Sequence, residues 1–68
     1  MKITAKQIFR EYRLKHGYSI KSLAKEAGTS YRMVYRLETG HSVYPTSAKK
    51  ICTALKCEFD DVFQIEGN

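Results

Sequence analysis

The residues best equipped for chemistry lie in one run, Tyr31-Arg32-Met33-Val34-Tyr35-Arg36-Leu37-Glu38-Thr39. Arg32 and Arg36 are four apart, as are Tyr31 and Tyr35, so on a helix each pair shares a face. With Val34 and Leu37 turned toward a core, the outward set is Tyr31, Arg32, Tyr35 and Arg36, with Thr39 at the end. A guanidinium presents a planar fork of donors that fits phosphate oxygens or the O6 and N7 edge of guanine. Tyrosine adds a hydroxyl for phosphate or base edges and a ring for apolar contact with thymine methyls. The competing reading of the tyrosines is that they cover the helix ends, and Met33 falls between core rim and exposed edge.

Other chemistries are poorly supplied. His16 and His41 flank turns without a fixed acidic partner, and the chain has no Gly-rich phosphate loop, no H-x-x-x-H pair and no paired-carboxylate constellation. No catalytic residue, metal ligand or cofactor is expected. Asp60 and Asp61 open a short helix, where negative charge favours the helix dipole. Cys52 and Cys57 are too few for a disulfide framework and do not complete a zinc pattern, so both read as small apolar core residues.

The elements that must hold this run are short helices. Thr4-Ala5-Lys6-Gln7 has the spacing of a capping box, and Ala5, Ile8, Phe9 and Tyr12 make one apolar face, predicting a helix over 4–16 ended by Gly17. Ser19 is the next N-cap, with Tyr18 placed to staple onto Leu23. Leu23, Ala24 and Ala27 form the buried stripe of a helix over 20–27, stopped by Gly28. Ser30 caps a helix over 31–38. After a loop containing Gly40, Ser42 and Pro45, helices are expected over 46–56 and 59–63, with residues 64–68 frayed. The pattern predicts an all-α fold, a compact five-helix domain spanning residues 1–68, with no strand.

Charge sharpens the reading. The 68-residue chain is 43% hydrophobic and 28% charged, which suits one folded domain rather than a disordered chain, and its net charge is +5. Residues 1–50 carry eleven Lys and Arg against three Asp and Glu, whereas residues 51–68 carry one against four. Such polarity suits a polyanionic partner or a solvated basic face. No apolar stretch approaches the roughly 20 residues needed to cross a bilayer, and a soluble, cytoplasmic protein without membrane contact is expected.

Leu23, Ala24, Gly28, Val34 and Leu37 have the spacing of a DNA-binding helix-turn-helix: a small residue where two helices cross, a glycine at the tight turn and an apolar underside. Together with Y-R-L-K-H-G-Y-S, S-L-A-K-E-A-G-T-S, V-Y-R-L-E-T-G and A-K-K-I-C-T-A-L, this set resembles the phage-repressor and Cro-type (XRE-like) helix-turn-helix family over about residues 5–63. The resemblance implies a five-helix repressor-like fold, sequence-specific binding of double-stranded DNA in the major groove, and transcriptional regulation. Base contacts are then expected from Tyr31, Arg32, Tyr35 and Arg36. Phosphate contacts are expected from the motif's borders at Ser19, Lys21, Ser30, Thr39, His41, Ser42 and Tyr44. Ile20 departs from the family, many of whose members have a phosphate-touching Gln there; Lys21 or Ser22 would substitute.

The resemblance also pairs Arg13 with Glu38 in a structural salt bridge between the first and third helices; the competing reading places Arg13 at the DNA surface. A homodimer on a symmetric operator and a phage or mobile-element regulator fit the resemblance. The alternative from another class is an adapter or antitoxin whose basic face docks an acidic protein partner.

Overall fold

In a computed structural model, residues 2–67 are described. They form, in chain order, β1 (Lys2–Ala5), α1 (Ile8–Lys15), α2 (Ile20–Ala27), α3 (Tyr31–Glu38), α4 (Pro45–Leu55), α5 (Phe59–Val62) and β2 (Phe63–Glu66). The fold is mostly helical, with five helices among the described residues and one small antiparallel sheet.

The central helices start and stop where side-chain chemistry directs. At the α2 N-terminus the Ser19 hydroxyl accepts from the Ser22 N–H at 3.0 Å, and the Ser22 hydroxyl accepts from the Ser19 N–H at 2.8 Å. This reciprocal box uses serine at the third helical position, where a longer Glu or Gln is the usual partner. Gly28 then adopts φ +74°, a left-handed conformation that L side chains rarely adopt, and turns the chain into α3. Ser30 caps α3 by accepting from the Met33 N–H at 3.1 Å. Pro45 is the first residue of α4, where its missing N–H leaves no helix bond unmade.

Burial links these elements. Leu23, Ala24 and Ala27 of α2 and Val34 and Leu37 of α3 are buried, joined by Ala48, Ile51, Cys52 and Leu55 of α4. Phe9, Val62 and Phe63 close the core from the α1–α5 side, with the Phe9 and Phe63 rings 5.9 Å apart. Of the apolar face expected on α1, Ile8 is more than a third exposed and Tyr12 only partly buried.

Both chain ends depart from the sequence reading. The helix expected over 4–16 begins at Ile8 and ends at Lys15, because Thr4 is a strand residue and not an N-cap. Its buried hydroxyl donates to the Glu66 carboxylate at 2.7 Å, a partner 62 residues away. The segment expected to fray is ordered over Gln64–Glu66: β2 pairs with β1 in the register Lys2↔Glu66, Ile3↔Ile65, Thr4↔Gln64 and Ala5↔Phe63. Asn68, the last of that segment, lies outside the described residues. The pairing also ends α5 at Val62, one residue before the expected 63, because Phe63 is already extended. The helix expected over 46–56 is shifted by one residue, with Lys56 in the left-handed conformation that closes it. On its other side β1 meets the loop after α3 through an isolated bridge, the Val43 N–H donating to the Ile3 carbonyl at 2.9 Å.

Candidate nucleic-acid interface

The site is built from the exposed side of α3. At about 100° per residue, Tyr31, Tyr35, Thr39, Arg32 and Arg36 follow one another around that side. Val34 and Leu37, fully or nearly fully buried, fix the opposite side against α2. Tyr31 and Tyr35 are about half exposed, at 54% and 50%, so neither ring is consumed by the core. Their planes are 10° from parallel with centroids 6.3 Å apart. Arg32 and Arg36 are exposed on the other flank. The helix thus offers a ridge with an aromatic flank and a cationic flank.

The cationic flank borders an open groove of about 540 Å³ lined in part by Ser30, Arg32, Arg36, Ser42 and Tyr44, with Met33 and Val43 at its base. No acidic side chain lines it. Among the residues expected at phosphate, the structure therefore brings Ser30, Ser42 and Tyr44 beside the two arginines. Ser19 and Lys21 stand apart, exposed at the start of α2, where the Ser19 side chain is engaged in its cap. The Thr39 hydroxyl turns back on the Tyr35 and Arg36 carbonyls and contacts the His41 ring at 3.3 Å. Tyr44 is the most exposed of the large hydrophobic side chains among the described residues, at 75%. Lys2, Ile3, Val43 and Pro45 also line the groove and are not among the site residues expected from the sequence. Lys2 reaches the groove through strand pairing, which leaves little trace in so short a segment.

Arg13 is not at this surface. It is buried, 6% exposed, and its guanidinium grips Glu38 with two bonds, Nε to Oε2 and Nη2 to Oε1, the latter at 3.1 Å. A third bond runs from Nη1 to the Tyr18 carbonyl at 3.0 Å. These bonds tie α1, the α1–α2 turn and the C-terminus of α3 together, and so fix the tilt of the ridge.

The cysteines are free thiols at the far end of α4, away from the ridge. Burial, then the neighbouring Cys57 and the Asp61 and Glu58 carboxylates, pushes the Cys52 thiol up to about 12. Cys57 is raised for the same leading reason. No helix among the described residues is long and apolar enough to cross a membrane.

Two short capped helices joined at a left-handed glycine, the second presenting a basic exposed face, define the helix-turn-helix class of DNA-binding domain. The sequence profile of the helix-turn-helix family matches residues 9–62, and the chain belongs to that family, of the phage-repressor and Cro type. The family is one of DNA-binding transcriptional regulators. A search of curated proteins returned no match.

Proposed function

We propose that the protein binds a specific double-stranded DNA sequence by seating α3 in the major groove, and that it acts in the cytoplasm as a repressor-like regulator of phage or mobile-element type. The observation that carries this reading is the ridge: four side chains able to contact bases stand exposed on α3, and the groove beside it is basic and free of carboxylates. Arg32 and Arg36 are assigned to base edges, Tyr31 and Tyr35 to thymine methyls or backbone oxygens. Ser30, Thr39, His41, Ser42 and Tyr44 are assigned to phosphate beside the ridge, and Ser19 and Lys21 to phosphate from the start of α2. Two copies on a symmetric operator complete the proposal.

Selection of bound duplexes from a random pool tests it. A defined preferred sequence is expected, and Arg32→Ala then relaxes preference at one base position, a contact worth roughly 1–3 kcal/mol of discrimination. Enrichment of no sequence at low and moderate salt rejects DNA reading and favours the adapter that docks an acidic protein.

A further inference from the structure

We propose that Lys2, carried on β1, is a phosphate-contacting residue. It lines the same groove as the arginine flank of α3, and the groove holds one sugar–phosphate strand of the duplex whose bases α3 reads. The inference rests on the major-groove reading and adds to it a contact from outside residues 9–62, the span that the family profile matches.

Lys2 lines the same groove as Arg32 and Arg36, together with the hydroxyl-bearing Ser30, Ser42 and Tyr44. Three cations with hydroxyl donors and no lining carboxylate make a surface complementary to a polyanion. β1 packs against α3, so a backbone strand seated in the groove beside α3 meets Lys2 as well as the arginine flank.

The sheet is what brings Lys2 there. The Ile3–Val43 bridge ties β1 to the loop after α3, and β2 supports β1 from the other edge. Lys2 faces Glu66 in the register, yet the only salt bridge among the described residues is Arg13–Glu38. Glu66 instead accepts from the buried Thr4 hydroxyl. The exposed Lys2 ammonium is therefore left for an external anion.

Fluorescence anisotropy with the selected duplex, over a salt series, tests the assignment. Lys2→Gln is expected to make the dependence of log K on log[salt] shallower by about 0.9 and to weaken binding roughly three- to tenfold at about 0.1 M salt, with base preference and unfolding midpoint unchanged. Lys2→Arg retains the wild-type slope, and Lys50→Gln, an equal loss of charge between α2 and α4, leaves it unaltered. A wild-type slope in Lys2→Gln overturns the assignment while leaving the major-groove reading intact. So does an equal change in Lys50→Gln, which would mark a net-charge effect, or a changed base preference in Lys2→Gln. Failure of the wild type to prefer any sequence overturns the major-groove reading, and this contact with it.

Discussion

Arginine serves two opposite ends in this molecule, and environment decides which. Arg13 spends its donors on Glu38 and the Tyr18 carbonyl inside the protein, whereas Arg32 and Arg36 keep theirs exposed. Cys52 shows the same control of chemistry by surroundings. Burial holds it as a neutral thiol in the native state to about pH 12, whereas the unfolded chain releases the proton near the ordinary value of 9.0. The stability this contributes is present below pH 9 and is lost as pH rises from there toward 12. Between about pH 8 and about pH 10, urea midpoints are therefore expected to fall more in the wild type than in Cys52→Ala, whose side chain cannot titrate. Equal falls in the two proteins would show that the thiol titrates alike folded and unfolded.

At the scale of elements, the Arg13–Glu38 pair clamps α1 to α3. Glu38→Gln keeps the size of the side chain but leaves the buried guanidinium without its counter-charge, and is expected to cost about 3–5 kcal/mol, read as a lower urea midpoint at unchanged slope. An unchanged midpoint would mean that the bridge adds nothing to the fold. The central helices were legible because their signals are local: Ser19, Gly28 and Ser30 act on backbone groups within a few residues, and Val34 and Leu37 report α3's buried side by spacing alone. The strands were not. Thr4 and Gln7 imitate a capping box at the right spacing, and nothing nearby shows that Thr4 bonds Glu66 instead. Lys2–Ala5 and Phe63–Glu66 do alternate polar and apolar residues, but four-residue alternations are weak until their distant pairing is known. The ridge of the candidate site was thus readable from the sequence, while Lys2, placed by that pairing, was not.

For the whole molecule the question is how two ridges meet one duplex. Major grooves on the same face of B-DNA recur about every 34–36 Å, so two copies reading a symmetric operator from one face sit that far apart or a multiple of it. The domain measures 34 × 20 × 19 Å, so two copies occupy successive grooves without overlap when one of their shorter axes lies along the DNA. The charge distribution favours turning α3 toward the DNA, because Glu58, Asp60 and Asp61 gather on α5 and its cap, off the α3 ridge. If binding is paired, inserting about five base pairs between half-sites turns the second site to the opposite face of the duplex, and a further five or so restores the phase one turn farther out. Apparent affinity measured against protein concentration is then expected to drop to that of a single half-site at the half-turn insertion, with loss of the steep two-copy isotherm. The same affinity and steepness at every spacing would show that each domain reads its half-site alone.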